Sequence, residues 1–484
     1  MDTRRIYAIA QEAFIYWERL SISQRLTYFR ALRSTLADQG DEIAELLHRI
    51  TGKLPFEALT AEILTVISTI SYWEREATSQ LKPHSVRTPL LLWGRRSWVE
   101  YRPLGVVLII APWNYPLQLT LIPALGALLA GNAVILKPSE VTSELDVYLK
   151  RLFIDAGFPP GLVQVVSGDG EVGAALVQGD PDLVFFTGSV TTGRKIQLEA
   201  ARKLIPTILE LGGKDPLIVL EDAPLERAIR GALWGSYTNC GQVCLGTEHI
   251  YVQHQVYQSF LKGFVMEAQQ LSLGAMTSVQ QVQLVREQVE DALAKGASLA
   301  LGTHPQYWPQ DSLELEPIVL VDVRDDMLIT QQETFGPVVS ITPFADDEEV
   351  IRLANGTSYG LGASIWSKDL QRARRIARQL VAGNISINDT MITVANPHLP
   401  FGGLKNSGLG TYHGTEGLRV FCTQRAIMES KGRVSSELNW FPYTMEKEAL
   451  IHELIKNVYG SQKRWWKVVP KVLNPRLWWS KEPN

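Results

Sequence analysis

Between Leu104 and about Leu220, short apolar runs alternate with stretches of helical pattern: Gly105-Val-Val-Leu-Ile-Ile110, Ala133-Val-Ile-Leu136, Val163-Gln-Val-Val166 and Asp182-Leu-Val-Phe-Phe186. Runs so continuously apolar have no polar face to turn to water, so each must be covered on both sides. A parallel sheet with helices packed on it supplies that cover. The texture returns between about Pro216 and Asn388, as in Val338-Val-Ser-Ile341 and Gly383-Asn-Ile-Ser-Ile387, and predicts a second α/β unit. Residues 1–80 instead carry apolar positions three and four apart, notably in Arg25–Leu36 and Ile43–Ile50, and predict helices. Two runs flanking Gly94-Arg-Arg96, Pro89-Leu-Leu-Leu-Trp93 and Ser97-Trp-Val-Glu-Tyr101, predict a β-hairpin.

Composition removes several classes of function. A net charge of −4 from 47 basic and 51 acidic residues leaves no electrostatic footprint for nucleic acid, and no zinc-finger or RNA-binding signature is present. Three cysteines, Cys240, Cys244 and Cys422, are too few and odd in number for a disulfide scaffold and suit a reducing compartment. The amino end lacks the apolar core of a signal peptide. Leu119–Leu136 approaches the length of a membrane span, but Pro123, Gly126, Gly131 and Asn132 interrupt it. It reads as a buried helix, Leu121–Leu129, turning into the strand Ala133–Leu136. The carboxyl end differs: Met445–Tyr459 sets Leu450, Ile451, Leu454, Ile455 and Val458 on one helical face, and Trp465-Trp466 and Trp478-Trp479 follow. Residues 451–484 hold seven basic residues against two acidic ones. Tryptophan with basic residues suits a lipid headgroup surface; a tail packed on its own or a partner subunit is the alternative. The expectation is a cytoplasmic protein, peripheral on a membrane through residues 445–484.

Four segments carry chemistry. In Asn239-Cys-Gly-Gln-Val-Cys244-Leu-Gly246, flanking glycines leave a thiol open to a ligand, and a thiolate attacks carbonyl carbon readily. A cysteine buried as a small hydrophobe is the plain alternative. A metal site is not expected, because the C-x3-C spacing lacks a second ligand pair. In Ile208-Leu-Glu210-Leu-Gly-Gly-Lys214 a glutamate ends an apolar strand; burial would raise its pKa toward that of a general base, unless a nearby Lys or Arg pairs with it. Asp182–Gly193 reads as strand, glycine turn and helix, a place for a phosphate, although G-x4-G is an incomplete dinucleotide fingerprint. Ala133–Glu140 delivers Lys137 and Glu140 to the carboxyl end of a strand, where a carboxylate accepts from a ribose 2′-hydroxyl and repels a 2′-phosphate; a solvated turn is the alternative.

In order and wording these segments resemble the aldehyde dehydrogenase superfamily from about residue 5 to residue 430. The likeness rests on Pro112-Trp-Asn114-Tyr-Pro116, Lys137-Pro-Ser-Glu140, Phe186-Thr-Gly-Ser189, Glu210-Leu-Gly-Gly-Lys214, Gly241-Gln-Val-Cys244, Glu333-Thr-Phe-Gly-Pro337 and Leu399-Pro-Phe-Gly-Gly403. Asn239–Cys244 and the run Pro400–Gly414 most resemble the class 3 branch, which includes fatty-aldehyde dehydrogenases. One departure is Leu245-Gly-Thr-Glu-His249, where that branch commonly carries an Ala-Pro-Asp-Tyr-like run.

The resemblance implies an α/β fold with a Rossmann-like cofactor domain (1–86 and 104–211), a catalytic domain (212–421) and an oligomerisation element (87–103 and 422–432); the basic, tryptophan-rich tail (433–484) lies beyond the matched region. It implies NAD, with NADP as an alternative, and a homodimer. Cys244 would be the nucleophile, Glu210 the base that activates water, and Asn114 with the Cys244 N–H the oxyanion hole. Trp113, Lys137, Ser139, Glu140, Gly188, Ser189, Gly193, Leu211, Gly212, Glu333 and Phe335 would hold the cofactor: Lys137 and Glu140 at the adenine ribose, Glu333 and Phe335 at the nicotinamide ribose. Tyr115 and Phe401 would line the substrate pocket. The expected reaction is oxidation of a fatty or isoprenoid-type aldehyde to the acid through a cysteine thiohemiacetal and thioester. A catalytically silent binding protein or a coenzyme A-acylating enzyme are the alternatives; the presence of Cys244, Asn114 and Glu210 argues against the first, and Glu210 favours water over coenzyme A as acceptor.

Overall fold

The computed structural model describes residues 2–89, 92, 94–432, 436–461 and 464–472. Its contacts divide the chain into two units, Met1–Leu81 with Pro103–Thr423, and Lys82–Arg102 with Gln424–Asn484.

The larger unit is built on two sheets. In the first the strands lie in the order Gly408–Leu409, Thr207–Glu210, Leu183–Thr187, Val106–Ile110, Ala133–Lys137, Val163–Val165. Neighbours are parallel except Gly408–Leu409, which runs antiparallel to Thr207–Glu210. Val106–Ile110, Ala133–Lys137 and Leu183–Thr187 are buried at every position, the reason their sequences show no polar alternation. Ile110 lies opposite both Lys137 and Phe186, and Thr187 lies opposite Glu210. The register therefore brings Lys137, Thr187 and Glu210 to one carboxyl edge, where ligands of such sheets bind.

The long apolar stretch is the helix Gln118–Ala130, apolar all round and buried almost throughout, as a helix enclosed in a core must be. It closes on a left-handed Gly131 and returns as Ala133–Lys137. Among the described residues no helix is long and apolar enough to cross a membrane.

The second sheet runs Ser298–Leu301, Ile318–Val321, Val338–Phe344, Thr247–Gln253, Asp215–Val219, Gly362–Trp366, Asn384–Ile387. It is parallel except for the antiparallel edge pair Ser298–Leu301 with Ile318–Val321. Only residues 211–214 separate Glu210, the end of a strand in the first sheet, from Asp215, the start of a strand in the second. The amino-terminal helices are Thr3–Trp17, Ile22–Asp38, Gly40–Thr51 and Leu64–Leu81. Before the last of them a short turn, Pro55–Glu57, passes into a π-helical segment, Ala58–Ile63.

In the smaller unit Arg95–Pro103 is flanked by His84–Val86 and Cys422–Ser430. The strand paired antiparallel with Arg95–Pro103 is His84–Val86, with His84 opposite Val99, rather than the predicted Pro89–Trp93. His84 stacks on Tyr101 at 5.9 Å between ring centroids, a pairing that apolar patterning alone does not reveal. Of the predicted run, Leu90, Leu91 and Trp93 lie outside the described residues. The helix Met445–Leu454 gives way to a π-helical turn, Ile455–Tyr459. Leu450, Leu454 and Val458 fall four apart on one side, and Ile451 and Ile455 lie one residue, about 100°, further round. Leu450, Leu454 and Val458 pack with Leu438 and Val468, while Ile451 and Ile455 are exposed. Lys463, Arg476, Trp478, Trp479 and Lys481 lie outside the described residues.

Candidate active site

Cys244 follows the helix Leu225–Tyr237 and a tight turn, Thr238–Gly241, and precedes the strand Thr247–Gln253. The turn is strained: Asn239 (φ 51°), Cys240 (φ 55°) and Gly241 (φ 72°) are all left-handed. A non-glycine residue held this way costs about 1–3 kcal/mol, so the surroundings must fix it. Asn239 Nδ2 donates to the carbonyls of Asn114 (3.1 Å) and Gln242 (3.2 Å), Asn114 Nδ2 donates to the Gln242 carbonyl (3.1 Å), and Gln242 Nε2 donates back to the Asn239 carbonyl (2.9 Å). At Gly241 any β-carbon would fall 2.1 Å from the Gly336 carbonyl oxygen, so only glycine fits. Cys240 is wholly enclosed with Met276, Val285, Ile318 and Val338, and burial pushes its thiol up to about 12. It is the small core hydrophobe of the pair, whereas Cys244 is only partly buried. Burial, then the neighbouring carboxyl groups of Glu333, Asp215 and Glu210, push the Cys244 thiol upward as well.

Glu210 is 4% exposed, and neither carboxylate oxygen has a hydrogen-bond partner. Burial alone drives its pKa far above the usual carboxylate range. The nearest sequence candidate for pairing it, Lys214, turns instead to Glu248, with which it makes a buried ion pair, and donates to Thr334 Oγ1 at 3.0 Å. Glu248 also accepts the N–H groups of Thr334 (3.0 Å) and Phe335 (2.9 Å). Within the run Leu245–His249, Glu248 thus supports the loop that carries Glu333 and Phe335.

Asn114 and Tyr115 are anchored from below by Lys53. Its ammonium is fully buried, ion-paired with Glu62, bonded to the Asn114 carbonyl at 2.8 Å and 4.2 Å from the Tyr115 ring centre. Glu62 in turn accepts the N–H groups of Leu117 (2.7 Å) and Gln118 (3.2 Å), the start of the buried helix. Lys53, Glu62 and Glu248 were not legible as site residues, because their partners lie far along the chain.

Cys244, Glu210, Tyr115 and Phe401 open onto one cavity of about 470 Å³. Its wall is mostly apolar or aromatic, including Leu119, Trp234, Leu271, Ile392 and Val394, and its exposed members Phe56, Trp234 and Ile392 mark the mouth. No Lys, Arg or His of the described residues lines it.

The expected cofactor residues gather at the carboxyl edge of the first sheet. Lys137 pairs with the half-exposed Glu140 at 2.7 Å, and Ser139 caps the turn Glu140–Thr142. Gly188 N–H donates to the Glu210 carbonyl (3.0 Å), Ser189 caps the helix Val190–Ala201, and Gly193 packs against Leu211. Glu333 accepts from Gly213 N–H at 3.0 Å, next to Gly212. Burial, then Glu248, pushes the Glu333 carboxyl up to about 8. Trp113 meets Phe335 edge-on at 5.5 Å. These residues fit a dinucleotide: a helix N-terminus for phosphate, a ribose carboxylate, and buried polar atoms lacking partners, Thr187 Oγ1 and both Glu210 oxygens, at the reacting end.

Residues 1–427 match the aldehyde dehydrogenase family. A 4,4′-diapolycopene aldehyde oxidase of Methylomonas sp is 41% identical over 460 residues, 93% of this chain and 86% of that protein. The NAD+ complex of an aldehyde dehydrogenase from Bacillus cereus superposes with a TM-score of 0.84 at 32% identity, covering 89% of each chain. An NADP-dependent enzyme of E. coli superposes with a TM-score of 0.82 at 30% identity, covering 89% of this chain and 90% of its own. With that sequence match, that fold and that convergence of thiol, carboxyl and nucleotide edge, the chain belongs to the aldehyde dehydrogenase family and is an NAD(P)-dependent oxidoreductase acting on aldehydes.

Proposed function

We propose that the enzyme is of the class 3 type and oxidises neutral, apolar aldehydes, fatty or isoprenoid, to carboxylic acids. Cys244 gives up its proton to solvent water and attacks the aldehyde carbon, the carbonyl π pair moving onto oxygen. The resulting alkoxide is held by Asn114 Nδ2 and the Cys244 N–H, donors typically worth about 3–4 kcal/mol each. Lys137 and Glu140 at the adenine ribose, Ser189 at the phosphate helix, and Glu333 and Phe335 at the nicotinamide ribose would hold the dinucleotide, which when bound would accept the hydride that leaves this adduct as a thioester. Glu210, buried and without a partner, then takes a proton from water as it attacks the thioester carbon; the acid leaves and the thiol is restored.

One observation carries the substrate class: the cavity onto which Cys244 and Glu210 open has an apolar wall and no cationic lining residue among those described. A substrate carboxylate would be desolvated there without a counter-charge. The name of the Methylomonas relative, an oxidase of an isoprenoid-type aldehyde, supports the same class. In a screen of NADH formation with Cys244→Ala as blank, kcat/KM should rise about three- to four-fold per added methylene until the cavity is full. A preference for short, negatively charged semialdehydes would overturn the assignment.

Glu140 supports a preference for NAD. Its carboxylate, next to Lys137, suits a ribose 2′-hydroxyl and opposes a 2′-phosphate. Glu140→Gln should raise the NADP to NAD ratio of kcat/KM about ten-fold, by removing one like-charge repulsion. A wild-type preference for NADP refutes the argument.

The smaller unit supports two further parts of the reading. Cys422–Ser430 is a largely exposed strand at the edge of its sheet, the kind of edge that a second copy covers, and supports a homodimer measurable by light scattering. Trp440, Phe441, Tyr443, Met445 and Tyr459 are all more than half exposed, which supports membrane-surface association through the tail. A Trp440→Ser, Phe441→Ser variant should sediment less than wild type with anionic vesicles at low salt; equal sedimentation removes this part of the reading.

A further inference from the structure

We propose that Glu57 is a positioning residue for the nucleophile loop, and that it couples the wall of the substrate cavity to Cys244. The inference rests on the assignment of Cys244 as nucleophile and adds a residue which the motifs of the sequence do not include.

Glu57 ends the short turn Pro55–Glu57, immediately before the π-helical segment Ala58–Ile63. Both of its oxygens are engaged with backbone or hydroxyl donors. Oε1 accepts the Asn239 N–H at 2.7 Å and the Thr238 hydroxyl at 3.1 Å, and Oε2 accepts the Leu54 N–H at 3.0 Å. No cation among the described residues lies within ion-pair distance of it. The carboxylate is thus spent on the loop that leads to Cys244, across 182 residues of sequence.

Its point of attachment is the first residue of the left-handed run Asn239–Gly241. Of that run, the Asn239 N–H is the group that Glu57 receives, beside the Thr238 hydroxyl that precedes it. The other groups bonded to this turn, Asn114 and Gln242, are amides; Glu57 brings the charged, stronger hydrogen bond. On its other side, Leu54, Phe56, Thr60, Ala61 and Thr65 of the same segment line the cavity, as does Glu57 itself. A long substrate that presses on this wall bears on the same backbone that fixes the loop. The residue acts through geometry: Cys244 takes its electrostatic influence from Glu333, Asp215 and Glu210.

Glu57→Ala and Glu57→Gln separate positioning from bulk stability, with Leu36→Ala, a change in the fully buried face of the helix Ile22–Asp38, as a control for general destabilisation. Glu57→Ala should lose about 10²-fold in kcat on a long aldehyde, the scale of a misplacement near 1 Å, while KM moves less than about three-fold. In the same variant, iodoacetamide should modify Cys244 at least about five-fold faster as the loop loosens around a partly buried thiol. Gln keeps an acceptor toward Asn239 and should restore both readouts to within about three-fold of wild type. Leu36→Ala should lower Tm without moving either. Wild-type turnover and wild-type alkylation in a folded Glu57→Ala protein overturn the proposal, as does a Leu36→Ala variant that reproduces both effects. If Cys244→Ala still oxidises aldehydes, the assignment of the nucleophile fails instead, a result that Glu57 variants cannot produce.

Discussion

A Glu210→Gln enzyme should release about one equivalent of NADH per active site in a burst and then turn over about 10³-fold more slowly than wild type, the range of a lost general base. In the proposed sequence the first half of the reaction uses the Cys244 thiol and the oxyanion donors, and the second uses a proton acceptor beside water. Glu210 suits that task because its two oxygens have no partner and its burial holds the proton on well past the ordinary carboxylate range. The same shift fixes the sign of two pH effects. Turnover of wild type should climb with pH as Glu210 ionises, and the climb should vanish from the residual rate of the variant. Stability runs the other way. A carboxyl whose folded pKa is raised contributes fully below its unfolded value, about 4.3, and loses that contribution as pH rises toward the folded one. Glu210→Gln should therefore melt higher than wild type at pH 8 and about equal to it at pH 4. A variant that fails even the burst would move Glu210 into the acylation half; a variant with normal steady-state turnover would exclude it as the base.

The second large effect is expected at Gly213. A β-carbon there would fall 2.2 Å from the Cys244 carbonyl oxygen, 2.8 Å from Asp215 Oδ1 and 3.3 Å from the Leu361 β-carbon, so it meets neighbours on three sides. Relief requires the backbone carrying Cys244 to retreat by about 1 Å, which costs on the order of 10²-fold in rate. Gly213→Ala should therefore lose about 10²–10³-fold in kcat/KM. Gly170→Ala, where no atom lies within 4 Å of the added carbon, should keep wild-type activity. Retention of activity by Gly213→Ala would mean that the loop carrying Cys244 is softer than its hydrogen bonds indicate.

What could be read in the sequence follows from what burial writes into it. Strands covered on both faces must be apolar at every position, so Gly105–Ile110 and Ala133–Leu136 announced the sheets. The interrupted stretch before Gly131 separated into helix and strand as its turn residues required. Motif wording marked Cys244, Glu210 and Asn114 because short runs hold them. The supports of those residues were invisible for the opposite reason: Glu57 meets Asn239, Lys53 meets Asn114, and Glu248 meets Thr334, contacts between segments with no local signature. The partner of the strand Arg95–Pro103 is His84–Val86, whose His-Ser-Val wording has no apolar run to mark it. In the tail the predicted face is wider than the surface that packs on it: Leu450, Leu454 and Val458 are covered, and the adjacent Ile451 and Ile455 are not.

The four-residue passage from Glu210 to Asp215 has a consequence for redesign. Glu210, the proposed base, and the sheet whose strand Thr247–Gln253 follows Cys244 are joined by only residues 211–214, and Gly213 among them abuts the Cys244 carbonyl. Reactive geometry is thus written in the main chain, whereas much of the chamber wall away from the Glu57 segment, including Leu271, Ile392 and Val394, is contributed by side chains from separate segments. Those positions are interchangeable parts. New aldehyde preferences should be obtainable by altering them in combination, with the reacting pair carried over untouched.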